Sequence, residues 1–157
     1  MAKITFYGFD DYAKRLEDLA REISSIEGEA IYLAAGAVAD EIKASIDEIH
    51  PVGTSEYDRK TMELQKEGLK EGFGIASLRD DGGFRNVRLG FDGYNKIKTK
   101  KYPKGQPNIM IARSINSGTS WRAKQPFFDK AVRRARAKAE EIMKTTVEGK
   151  IDQLMKE

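Results

Sequence analysis

The chain has one histidine, His50, and no cysteine among its 157 residues. A dyad of two histidines, a multi-histidine metal site, a thiolate zinc site and a disulfide are therefore all excluded within one chain. His50 follows a helical pattern and precedes Pro51. An imidazolium is favoured at a helix C-terminus, so His50 reads as a cap rather than a catalyst. Asp80-Asp81 could be paired carboxylates for acid–base chemistry or a magnesium site. Followed by Gly82-Gly83 between two apolar runs, the pair is foremost a hairpin turn. Gly72-Phe73-Gly74 and Gly82-Gly83 lack the strand–loop–helix order and the Lys-Ser/Thr pair of a phosphate loop. Ser117-Gly118-Thr119 has no nucleophile-elbow pattern. These residues argue against an enzyme, and they imply no cofactor and no metal.

Two other stretches are better suited to contact than to chemistry. Lys96, Lys98, Lys100, Lys101 and Lys104 lie between Tyr94 and Gly105, with no acid in that stretch. Such lysines, interleaved with Tyr94 and Tyr102, could hold phosphates and stack on bases. The loop could equally order against an acidic neighbour, or simply be solvated. The second stretch, residues 113–135, holds the only tryptophan, Trp121. Neighbours on a helix diverge by about 100°, so either Phe127 or Phe128 is expected to face partly away from the core. Beside an exposed Trp121 it would anchor an interface; alternatively both fold back beneath the preceding loop. Arg133, Arg134, Arg136 and Lys138 read first as the polar face of a helix and second as a nucleic-acid contact.

The elements that must position these residues follow from periodicity. Residues 3–9 alternate as a short strand, and Asp10 or Asp11 suits the N-cap of the next helix. Tyr12, Leu16, Leu19, Ile23 and Ile26 form its stripe, and Glu27-Gly28-Glu29 is a point of breakage or kinking. A second helical pattern runs from Ile31 to Ile49, with a small-residue patch at Ala34-Ala35-Gly36-Ala37, and stops at His50-Pro51. Residues 54–71 are polar and fit a short helix or a mobile loop. Phe73–Ala76 and Asn86–Phe91 flank the Asp80–Gly83 turn as a β-hairpin. Residues 96–107 form a flexible basic loop, broken by Pro103, Gly105 and Pro107. A short helix over 109–115 precedes the Gly118 turn, and Pro126 opens the clearest helix of the chain. Unbroken to residue 155 it would span about 45 Å, with Gly149 the one argument for an earlier end.

Composition sets the frame. A chain of this length makes one domain, residues 1–157, and buries roughly 70% of its unfolded surface. Only 39% of residues are hydrophobic and 34% are charged, which suits an extended shape or stability completed by partners. Residues 1–56 carry 5 Lys/Arg against 12 Asp/Glu, and residues 57–157 carry 23 against 13. This −7/+10 polarity favours contact between the acidic part of one copy and the basic part of another, or between the basic part and nucleic acid, unless the two parts intermingle in space. No run approaches the ~20 apolar residues of a membrane span, so no membrane partner is expected and the setting is the cytoplasm.

The order of elements resembles the head–tail joining proteins of long-tailed, non-contractile phages, also called tail-completion, neck or minor tail component proteins. In that family a helix ends in an Asn/Glu-x-Gly-Thr-like turn, followed by Pro-Phe, an acidic residue or proline, and Ala. Asn116, Gly118, Thr119, Pro126, Phe127 and Ala131 fall on this pattern, and Pro51–Thr54 matches the loop after the long early helix. Thr61-Met62-Glu63-Leu64 stands where a Thr-Gly-x-Leu is usual, after a longer insertion. The resemblance implies an α+β fold, a small curved antiparallel sheet packed against amphipathic helices, with a long C-terminal helix. It implies a structural virion component, assembled in the bacterial host cytoplasm. Its partners would be further copies of itself in a ring, the head connector or adaptor and the tail tube protein. The interface residues expected on these grounds are Asn116, Gly118, Thr119, Trp121, Pro126, Phe127 and Phe128, with Lys96, Lys98, Lys100, Lys101 and Lys104. A nucleic-acid-binding protein using residues 96–104 and the last helix is the rival reading.

Overall fold

Two long helices set the shape. In the computed structural model, which describes residues 8–156, α1 runs Phe9–Asp47 and α4 runs Phe127–Lys156. At 1.5 Å per residue they are about 58 and 45 Å long. They lie antiparallel, because Arg134 reaches Glu41 and Glu48 near one end while Lys150 meets Glu29 and Arg15 meets the Met155 carbonyl near the other. Their facing surfaces are largely alanine: Ala30, Ala34, Ala35 and Ala39 on α1, and Ala131, Ala135 and Ala139 on α4, are all buried. Small side chains at these spacings let two helix axes approach closely. The small-residue patch of the sequence is thus part of the α1 face that is buried.

The strand expected over residues 3–9 lies outside the described residues up to Tyr7. Gly8, at φ 83°, is the N-cap of α1, and Asp10 and Asp11 occupy its first turn. There they complement the helix dipole without being the cap. The helix does not break at Gly28. A Cβ at that position would lie 2.8 Å from Leu78 Cδ2, so the glycine is where the hairpin presses against the helix. Arg85, beyond the hairpin turn, bonds to the Ser24 carbonyl and sits 3.7 Å from Glu27.

Residues 56–72 form a helix, α2 (Glu56–Gly72), rather than a loop. Ser55 and Asp58 cap it reciprocally: the Asp58 amide donates to Ser55 Oγ at 3.1 Å and the Ser55 amide to Asp58 Oδ2 at 3.3 Å. Four short strands follow, β1 (Phe73–Ile75), β2 (Arg79–Asp80), β3 (Arg85–Asn86) and β4 (Leu89–Phe91). β1 pairs antiparallel with β4, placing Phe73 opposite Phe91, and β2 pairs with β3 beside the Asp80–Gly83 turn. This is the expected hairpin, drawn as two short ladders in line. Helix α3 (Asn108–Ser117) precedes α4. The architecture is α+β. Its core joins Ile46, Ile49, Leu69, Ile111, Ile115 and Phe127 in one cluster to Ile42, Phe73 and Ala131 in the next. Among the described residues, no helix is long and apolar enough to cross a membrane.

Candidate interaction site

The turn between α3 and α4 is held from both sides. Asn116, on the last turn of α3, accepts from the amides of Phe128 and Asp129 at 3.1 and 3.4 Å, and its own amide donates to Asp129 Oδ2 at 3.0 Å. A residue of one helix thereby satisfies two of the unpaired N–H groups that open the next. Gly118 ends α3 at φ 77°, ψ 172°, a backbone region essentially confined to glycine. Thr119 and Arg122 then exchange backbone hydrogen bonds at 2.9 and 3.3 Å, closing a tight turn. Gln125 fastens the far side, accepting from the His50 amide at 2.8 Å and donating to the His50 carbonyl at 2.9 Å. It is the backbone of His50 that is engaged. The last turn of α1 is met by Lys66, which donates to the Asp47 carbonyl at 2.8 Å.

Neighbouring side chains on this turn differ sharply in exposure. Trp121 is 65% exposed, whereas Arg122 is 5% exposed. The Arg122 guanidinium carbon lies 5.0 Å from the Trp121 ring centre, within cation–π range. Its Nη2 donates to Gln65 Oε1 at 2.8 Å, while its Nε has no partner. No carboxylate pairs with it among the described residues. Burial pushes its pKa below the ordinary guanidinium value, yet arginine remains a cation in proteins.

Arg122 forms part of the wall of a cleft of about 410 Å³. Val52, Tyr57, Met110 and Trp121 give it an apolar rim; Tyr102 and Ile97 bring the lysine loop to its edge. Ser114, also in the wall, has a buried hydroxyl without a partner. Asp58 is in the same wall but its carboxylate is held by Ser55. A buried cation, an unused N–H and an unused O–H around one cleft with an apolar rim can hold an anionic group attached to an apolar body.

The lysine loop makes several hydrogen bonds within itself. Buried Asn95 closes its base, its Oδ1 accepting from the amides of Ile97 and Gln106, both at 3.0 Å. Thr99 and Tyr102 exchange backbone bonds at 3.1 and 3.0 Å. Lys96 is paired with Glu67, which raises its pKa, and Lys101 lies 5.6 Å from the Tyr102 ring centre. Lys98, Lys100 and Lys104 are exposed, with no carboxylate partner among the described residues.

Of the expected interface residues, Trp121 and Thr119 are exposed, Pro126 is half-buried, and Asn116 and Gly118 hold the turn. Phe127 and Phe128 both turn inward. Phe127 is buried and Phe128 half-buried, each with its ring centre 6.2 Å from that of Phe91 on β4. The two side chains diverge as adjacent helical residues must, but core lies on both sides of the helix here. Sequence reasoning passed over Arg122, Gln65 and Ser114. The one available signal was an arginine directly after a tryptophan in a turn, a pair able to stack. The chain matches no protein-family description, no curated protein and no solved structure.

Proposed function

We propose that this protein is a structural assembly component that works by docking. On the resemblance of its motifs, it would be a phage or prophage head–tail joining component, forming a ring of identical subunits between the head connector and the tail tube. The observation that carries this reading is the α3–α4 turn. It is locked by Asn116, Gly118 and Gln125, yet it presents an exposed Trp121 above a cleft with a buried, carboxylate-free Arg122. A rigid aromatic beside a desolvated arginine is the composition of a binding hot spot. Preorganisation of the turn lowers the ordering cost of association. The long α1/α4 pair would give each subunit the reach to touch neighbours on two sides, the heterologous arrangement that closes into rings.

The test is light scattering with electron microscopy of the full chain over a range of concentrations, alone and with short duplex DNA at several salt concentrations. Closed ring-shaped oligomers that form without DNA are the expected result. A protein that stays monomeric and binds DNA with a steep salt dependence would overturn the reading in favour of nucleic-acid binding. The exposed Lys98, Lys100 and Lys104 are the observation on which that rival rests.

A further inference from the structure

Arg122 lacks two things that burial of a cation normally requires: a carboxylate within ion-pair distance, since Asp58 in the same wall is bonded to Ser55, and a partner for its Nε–H. Arg122 is 5% exposed, its one side-chain hydrogen bond is to the neutral Gln65, and its Nε is unpaired. The missing group is a carboxylate, since a planar guanidinium matches carboxylate geometry and lowers its own burial cost by pairing. The rim adds a second requirement. Tyr57 is 77% exposed and Trp121 65% exposed, with Met110 and Val52 each about half exposed beside them. The occupant must therefore bring apolar side chains next to its acid.

The same molecule carries a surface of that chemistry at its other end. Along the first half of α1, Tyr12, Leu16 and Ile23 are 53%, 44% and 38% exposed on one stripe. Asp10, Asp11 and Glu22 lie close by in sequence and have no ion-pair partner among the described residues. We propose that the Trp121–Arg122 cleft of one copy receives the Tyr12–Ile23 stripe of α1 from a second copy, with an acidic side chain of that helix completing Arg122. This rests on the reading of the protein as a self-assembling ring, and it names the contact. Acidic α1 against a cleft edged by the lysine loop also accounts for the charge split between residues 1–56 and 57–157. The two surfaces are different patches of one chain. An open assembly of any size thus keeps one free cleft at one end and one free stripe at the other, and association propagates until a ring closes.

Because Trp121 is the only tryptophan, it reports on the cleft by itself. Leu16→Lys spoils the stripe and leaves the cleft intact. Trp121→Ala spoils the cleft, leaves the stripe intact and is free of tryptophan. Both positions are exposed, so both variants are expected to fold, as circular dichroism would verify. Each variant alone should be impaired in self-association. Titrating Trp121→Ala into Leu16→Lys should move the Trp121 emission to shorter wavelength, saturably, and give a 1:1 heterodimer by light scattering. Adding Arg122→Gln to the Leu16→Lys copy should weaken that dimer by about ten-fold or more, as loss of a desolvated charge partner does, while its melting curve monitors folding.

Self-association of the wild-type chain without any emission shift in the mixed pair would overturn this contact and leave the ring reading standing. A shift and a heterodimer from a wild-type chain that forms open filaments would keep the contact and overturn the ring. A monomeric wild type with no shift in the mixture would overturn both.

Discussion

The two ends of the α1/α4 pair differ in how far they complete their own packing. At one end Ile42, Ile46 and Ile115 have no exposed surface, and α2, α3 and the hairpin close over them. At the other, no residue of α1 from Asp10 to Ser25 is buried, and none of α4 beyond Ala139. Leu19, Ile142, Val147, Ile151 and Leu154 there are only half-covered. Two helices side by side enclose only a narrow apolar seam, so the flanks of a wider stripe stay open. The compact end therefore supplies most of the stability of the single chain, and the open end offers surface that only a neighbour can cover.

Paired substitutions test this difference most strongly. Ile46→Ala should cost about 2–5 kcal/mol, the range for a large-to-small change at a fully buried site. Ile23→Ala, on the open stripe, should cost no more than about 1 kcal/mol. Thermal melts of the monomer separate the two, at about 2–4 °C per kcal/mol for a chain of this size. Equal losses would mean that the far end is as closed as the near one.

Glycines give a smaller version of the same contrast. Gly118 stands at φ 77°, and a Cβ there would lie 3.0 Å from the Lys124 amide nitrogen and 3.2 Å from the Arg122 carbonyl. Gly118→Ala should cost about 1–3 kcal/mol and disturb the Trp121 turn. Gly149 lies within α4 at the open end, with nothing within 4 Å of a Cβ. Gly149→Ala should therefore stabilise the protein by up to about 1 kcal/mol through helix propensity. Urea denaturation of both variants would read the opposite signs, and a loss at Gly149 would reveal a contact at the open end.

What could be read from the sequence divides along similar lines. The hairpin, α3 and α4 were legible because their period and their turn residues are local properties. The Ser55/Asp58 cap of α2 was also written locally, but the polar run from 54 to 71 obscured it. Gly28 suggests a break or a kink because the reason for it, Leu78, arrives from fifty residues away. Helical spacing leaves open whether Phe127 and Phe128 divide between core and solvent or both turn inward, because it cannot know that Phe91 packs against both. Arg122 was the hardest to see. Its burial depends on a two-residue turn, on Gln65 from another helix and on a loop folding over the edge of the cleft, none of which leaves a periodic trace.

The smallest expected effect concerns the fastening of the compact end. Arg134 on α4 meets Glu41 at 2.9 Å, Glu48 at 3.0 Å and Ser45 Oγ at 2.5 Å on α1. The hydrogen bond from Arg134 holds the Glu48 carboxyl below its ordinary value of 4.5. A carboxylate whose pKa is lowered on folding adds stability that is present above the unfolded value. That stability is lost as pH falls through the lowered folded value. The pair is solvent-exposed, so the contribution is modest and shrinks with added salt. The difference in melting temperature between wild type and Glu48→Gln should be constant from neutral pH down to about 5, then close on further acidification. A difference that persists at about pH 2–3 would place the role of Glu48 in packing rather than charge. The tie between the helices at the compact end would then not depend on the ion pair.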